Sequence, residues 1–268
     1  MAVIALHSAA TGLNALSTKI DMIANNIANI NTIGFKAQRA NFEDLLYQEK
    51  AQPGVENANG DERPSGIHVG LGVRVASPHR DFQQGPPTET GRQLDWMVEG
   101  DGFFAVDILD NDGTGIGYTR AGNFFINSNG DIVLGNTDGP LLDPPINVPQ
   151  DSLRVQVTRD GRVMAFQPGQ PQPAQIGQIQ LTSFINPNGL SPLGNNVFVE
   201  TAASGPPIQG NPGDDNLGTV IQGFQESSNV DPVRELIELI KSQRAFELNS
   251  QTIQAADETL RVVGQLRR

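Results

Sequence analysis

Two stretches at opposite ends of the chain repeat apolar residues with heptad spacing, and this constrains the fold more than anything else in the sequence. Near the start, Leu6, Ala9, Leu13, Leu16, Ile20, Ile23, Ile27 and Ile30 follow one another in alternating steps of three and four. Near the end, Leu239, Phe246, Ile253 and Leu260 recur every seven residues, with Ala256 and Val263 three places after the last two. Apolar a and d positions of this kind form the seam of a coiled coil. About 200 Gly- and Pro-rich residues separate the two stretches, so the helices must meet in space and not in sequence. Such a chain reads as a subunit of something larger.

The spacing predicts a first helix from about residue 3 to about residue 31, free of Pro and stopped by Asn31-Thr32-Ile33-Gly34. Its polar face is His7, Ser8, Thr11, Asn14, Ser17, Thr18, Asn25, Asn26 and Asn29, with only Lys19 and Asp21 ionised. Solvated helix faces normally carry Glu and Lys, so this face implies close neighbours on several sides or the wall of a neutral channel. The closing helix begins at Asp231-Pro232, an N-cap followed by Pro at the first helical position. Asn249 falls on its seam, where a buried Asn fixes register.

Between the helices the pattern changes. Phe35 to Leu46 reads as extended or briefly helical, and Tyr47 to Gly66, with Gln52-Pro53-Gly54 and Pro64-Ser65-Gly66, as a long loop or protruding hairpin. From about residue 76, short strand-like runs alternate with turn dipeptides: Phe103–Val106 before Asp112-Gly113, Phe124–Ile126 before Asn129-Gly130, Leu153–Val157 before Asp160-Gly161. The echo of Thr119-Arg120-Ala121-Gly122 in Thr158-Arg159-Asp160-Gly161 hints at a repeated hairpin. The expected fold is α+β. Paired terminal helices (1–33 and 229–268) form a discontinuous coiled-coil domain, residues 34–75 connect, and residues 76–228 form a mainly-β domain.

Charge follows the same division. Residues 1–50 and 229–268 each balance acids against bases, so the net charge of −12 lies in residues 51–228. Neutral arms suit packing against copies of themselves, and an acidic middle suits water. No basic stripe exists to hold nucleic acid. No run approaches the roughly 18 apolar residues of a membrane helix, so direct membrane insertion is not expected. The start lacks Lys or Arg before Lys19 and makes a poor secretory signal, so if the protein leaves the cytoplasm it does so by a route that does not cleave an ordinary signal peptide. The chain has no Cys, which removes disulfides and thiolate metal sites.

Catalytic signatures are missing. His7, His68 and His79 are scattered, with no second ligand at helical spacing, so no metal site is expected. Asp110-Asn111-Asp112-Gly113 lacks the alternating acids and closing Glu of a calcium loop. No nucleophile elbow, phosphate loop or dinucleotide fingerprint is present. Neither a cofactor nor an enzymatic activity is expected.

The ends of the chain resemble the bacterial flagellar rod and hook family. Ala24-Asn25-Asn26-Ile27-Ala28-Asn29-Ile30-Asn31-Thr32-Ile33-Gly34-Phe35-Lys36 is similar to its N-terminal motif. Ser228-Asn229-Val230-Asp231 and Gln243-Arg244-Ala245-Phe246-Glu247-Leu248-Asn249-Ser250 are similar to its C-terminal motif. Gly100–Phe104 and Tyr118–Phe124 resemble its shared β domain. Phe42 to Gln48, with Gln52, Pro53, Gly54, Pro64, Ser65 and Gly66, resembles a segment distinctive of the distal-rod branch. Phe246 and Gln251 stand where Tyr and Lys are commoner, and the tail ends in Arg267-Arg268.

The resemblance implies a structural subunit of the periplasmic rod of the flagellar basal body, exported unfolded by the flagellar type III route and stacked into a helical homopolymer. Paired terminal helices would line the export channel, and the shaft would pass torque to the hook. The implied partners are proximal rod proteins, the hook protein, a rod cap, and the surrounding P- and L-ring proteins. Alternatives are another rod or hook axial subunit, or a secreted β-rich adhesin or binding module. The latter needs an exposed aromatic platform, whereas the single Trp96 sits in an apolar run that reads as core.

Overall fold

A computed structural model describes residues 2–54, 65–108, 115–170, 172–214 and 217–266. The chain divides into two compact units. One comprises Met1–Ile27, Gln38–His79 and Asp231–Arg268; the other comprises Ala28–Ala37 and Arg80–Val230.

The first unit is built on two helices, α1 (Ala2–Ala28) and α2 (Pro232–Leu266). The Asp231 carboxylate accepts from the backbone N–H groups of Val233 and Arg234 at 3.0 and 3.3 Å, so α2 starts at the predicted cap. Between the helices lies a long antiparallel ribbon. Phe42–Asp44 pairs with Val73–Val75, and Tyr47–Ala51 pairs with Ile67–Gly70. Residues 35–46, expected as extended or briefly helical, are extended, with strands at Gln38–Arg39 and Phe42–Asp44. The 47–66 segment is a hairpin in its described part, while Pro64 and its neighbours 55–63 lie outside the described residues.

α1 ends three residues earlier than expected. Thr32 N donates to Asn29 O and its hydroxyl to Asn29 Oδ1, which turns the chain before Gly34 takes a left-handed φ of 68°. Ile30, assigned to the seam, therefore lies beyond the helix in this turn.

The second unit is mainly β. Among the described residues its largest sheet has nine strands, all pairings being antiparallel, with the strand Phe103–Asp107 at the centre. That strand pairs with Ile116–Thr119, Leu141–Asp143 and Leu181–Ser183. A three-stranded sheet (Arg154–Val157, Arg162–Phe166, Ala174–Gln178) and the pair Trp96–Glu99/Thr219–Gln222 complete the main core. Trp96, Val98, Phe104, Val106, Phe124 and Ile179 are wholly enclosed there, so Trp96 is core as expected.

Asn129-Gly130 and Asp160-Gly161 make the expected hairpin turns, with Gly130 and Gly161 at φ 92° and 79°; Asp112-Gly113 lies outside the described residues. The Thr119/Thr158 echo is not a structural repeat. Gly161 is a left-handed turn residue, whereas Gly122 has no positive φ and packs so closely on the Trp96 carbonyl that a Cβ there would collide with it.

Candidate assembly surfaces

In the first unit the helices run antiparallel. Lys19 Nζ of α1 lies 2.9 Å from Glu238 Oε2 of α2, and Gly12 backs onto Asn249, whose Nδ2 would stand 3.0 Å from an added Cβ. On α2 the covered positions include Leu239, Ser242, Ala245, Asn249, Ile253 and Ala256, in steps of three and four. These include two of the four predicted seam residues. The other two, Phe246 and Leu260, are each 39 % exposed. Carrying the antiparallel register from Gly12 back to the start of α1 reaches about residue 260 of α2 at 1.5 Å per residue, so cover runs out near Leu260. On α1, Ile23 is buried and Leu6, Leu13, Leu16, Ile20 and Ile27 are half-buried, with Ala9 and Ala15 buried among them.

The opposite side of α2 is also apolar and was not anticipated. Val233, Leu236, Ile237, Ile240 and Leu248 are 65 %, 50 %, 48 %, 50 % and 63 % exposed. At 100° per residue they lie about 180° from the Ser242–Ile253 stripe. Their own spacing of three and four was a readable signal. It was obscured because a helix apolar on two opposite faces has no single apolar direction.

The uncharged face of α1 has a local use. His7 Nδ1 lies 3.1 Å from the Leu71 carbonyl, the Ser8 hydroxyl donates to Gly70 O at 3.4 Å, and Val73 N donates to Thr11 Oγ1 at 3.3 Å. Short polar side chains thus seat the turn of the ribbon on the helix. On the ribbon, Tyr47, Gln48, Gln52, Pro53, Gly54 and Ser65 are exposed, and Leu46 and Ile67 are 83 % and 55 % exposed. Gly66 is half-buried against the Ala51 carbonyl.

The N-terminal motif residues divide between the units. Asn26, buried, brackets Gln38 with two hydrogen bonds, Nδ2 to Gln38 O at 2.8 Å and Gln38 N to Oδ1 at 2.9 Å. Asn25 is exposed, and Asn29, Thr32 and Phe35 are half-buried. In the second unit Gly34 N donates to Glu226 O at 2.8 Å, and Gly34 sits so near Ala121 that no Cβ fits. The next residue but one, Lys36, is sealed in the core: Nζ meets Glu226 Oε1 at 2.6 Å and donates to Gln83 O at 2.7 Å. Burial lowers the Lys36 pKa, and the Glu226 carboxylate opposes that shift. Arg120 lies 3.6 Å from Glu226 Oε2 and stacks over Phe103. Asn229 closes the same region, accepting from Ala37 N at 2.8 Å and donating to Asp81 O at 2.7 Å. Glu226 and Arg120 went unassigned in the sequence because nothing local marks a pairing across 190 residues.

Of the C-terminal motif, Gln243 and Arg244 are exposed, while Asn249 and Ser250 are half-buried. Among the described residues no three His, Asp or Glu side chains converge as a metal site, and no helix is long and apolar enough to cross a membrane.

Three family descriptions match successive parts of the chain: flagella basal body rod protein at residues 6–36, flagellar hook protein FlgE/F/G D1 domain at 97–165, and flagellar basal body rod FlgEFG protein C-terminal at 221–266. The chain is similar along its length to flagellar basal-body rod proteins FlgG. It is 44 % identical to that of Caulobacter vibrioides, covering 98 % of this chain and 99 % of the relative. The FlgG of Agrobacterium fabrum is 43 % identical over 97 % and 98 %, and that of Bacillus subtilis 36 % over 98 % of each.

Proposed function

Because the chain belongs to the flagellar basal-body rod protein family, as a structural subunit of that rod, we propose that it forms the distal segment, stacking helically on copies of itself. In this reading α1 and α2 pair as a coiled coil and line the export channel, the β unit faces the periplasm, and the polymer carries torque from proximal rod proteins to the hook. The rod cap and the P- and L-ring proteins complete its surroundings, and it performs no catalysis.

The observation that carries the reading is the second apolar face of α2. A helix that already turns one stripe inward and still exposes Val233, Leu236, Ile237 and Ile240 is built for a neighbour. A patch that meets a different patch on the next copy generates an open helical polymer. The exposed ribbon supports the distal assignment, since it adds surface for a further contact along the shaft.

Immunogold labelling of isolated basal bodies tests it. Label along the hook-proximal part of the shaft is expected. Label confined to the cell-proximal rod, or to the hook, rejects the distal assignment.

A further inference from the structure

Residues 80–230 are strongly acidic, contain no Lys, and carry six arginines. Arg120 is buried and Arg80 half-buried. The exposed four, Arg92, Arg154, Arg159 and Arg162, gather on the three-stranded sheet and the loop beside it. Register sets Arg154 opposite Phe166, Gln156 opposite Met164, and Arg162 opposite Gln178. Val155, Val157, Val163 and Ala165 turn to the core, which leaves the basic residues on the outer face.

Two of these cations are held in place by aromatic rings. Arg154 lies 4.4 Å over Phe166, and Arg92 4.4 Å over Phe125. Between them runs a groove of about 440 Å³ bordered by Leu153 and Ile126, 73 % and 44 % exposed. Arg92 is paired with Asp95 at 3.2 Å and Arg162 with Asp160 at 3.7 Å, which leaves Arg154 and Arg159 as the cations of this face without an acidic partner among the described residues.

The edge formed by Arg154–Val157 is already closed. Val155 N donates to Gln93 Oε1 and Val157 N to Gln222 Oε1, while Gln222 Nε2 donates to Val155 O. With its backbone groups used, this edge does not take up an added strand. What remains on this side is side-chain chemistry, an exposed Leu153 in a groove that Arg92 and Arg154 also line.

This step rests on the rod-subunit reading. Stacked copies of an acidic unit repel one another, unless each presents a basic patch to the acidic surface of the next. We propose that Arg92, Leu153, Arg154, Arg159 and Arg162 are the surface by which the β unit of one copy docks on the acidic β surface of a second copy.

A photo-crosslinking amino acid at Gln156, on the outer face, tests this in basal bodies isolated from cells making the full chain. A band at twice the chain mass is expected, with the crosslinked peptide mapping to the acidic β unit. Arg154→Glu combined with Arg162→Glu should abolish the band while the near-ultraviolet signal of Trp96 stays unchanged. A crosslink to any other protein, or none, in basal bodies that contain the chain overturns the docking surface. Absence of the chain from basal bodies overturns the rod reading and this inference with it.

Discussion

Lys36 Nζ lies 2.6 Å from Glu226 Oε1, and neither side chain exposes any surface. The pair joins the end of the N-terminal motif to the segment leading into α2, across 190 residues. Gly85 N and Lys36 share the same carboxylate oxygen, so the charges are hydrogen-bonded as well as paired.

Glu226→Gln leaves the Lys36 cation enclosed without a counter-charge, at a cost of about 3–5 kcal/mol for breaking a buried pair. Denaturant unfolding read by the fluorescence of Trp96, enclosed in the same unit, should move to a markedly lower midpoint. Lys36→Met with Glu226→Leu should recover only part of the loss, because Arg120, also buried and 3.6 Å from Glu226 Oε2, then loses its carboxylate. An unchanged midpoint for Glu226→Gln contradicts the pairing.

Gly72 has φ 117°, and a Cβ there would stand 2.1 Å from Thr11 Oγ1. Gly72→Ala therefore strains the ribbon turn and pushes it off α1. Thr11→Ala should relieve the contact but not the strain, since left-handed φ disfavours any Cβ. Limited proteolysis in residues 42–75 is expected to accelerate in Gly72→Ala and to be only partly restored in the double variant. Wild-type cleavage in Gly72→Ala counts against this seating.

Glu238 takes hydrogen bonds from Lys19 and Lys241, which hold its carboxyl at about 2 against an ordinary 4.5. A folded pKa below the unfolded one means that the unfolded chain binds the proton more readily. The contribution is present in full above about pH 4.5 and is lost as pH falls through about 2. The carboxylate is partly exposed, so screening keeps the effect small. Lys19→Met should raise the Glu238 pKa in a carboxylate titration followed by nuclear magnetic resonance. No rise would mean that the contact with α1 does not form in solution.

Much of this architecture is written locally. Asp231-Pro232 marks the start of α2, Asn129-Gly130 and Asp160-Gly161 mark hairpins, and the apolar run around Trp96 marks the core. Each signal acts within a few residues. The Lys36–Glu226 pair has no such signal, because its partners are neighbours only after the β unit has folded. Ser8 and Thr11 looked like channel wall or helix contact, yet they also serve a ribbon whose approach the heptad pattern cannot encode. Ile30 kept the seam spacing past the helix end because apolar periodicity is blind to the turn that Asn29 and Thr32 make.

The ribbon at 42–51 and 67–75 is exposed along most of its length, and a lone two-stranded hairpin is marginal in water. If neighbouring subunits cover it, they gain contacts that exclude alternative packings and leave one straight lattice. Removing residues 48–63 should then permit assembly but yield rods that bend. Electron microscopy of basal bodies from such a strain decides the matter, and straight rods would reduce the segment to a connector.

Ile240 and Leu239 are adjacent on α2 but face opposite ways, Ile240 being 50 % exposed and Leu239 half-buried. The two faces make separable predictions. Asp at position 239 meets the side covered within the chain, so it should lower the helix content of the purified protein. Asp at position 240 meets water there and should leave the circular dichroism spectrum unchanged. If a neighbour covers the second face in the polymer, an unpaired carboxylate at that contact costs several kcal/mol, on the order of 3 or more, per subunit. A strain carrying Ile240→Asp should therefore make folded subunit yet build no distal shaft and fail to swim. Normal swimming in that strain would mean that the exposed face of α2 is not an assembly surface.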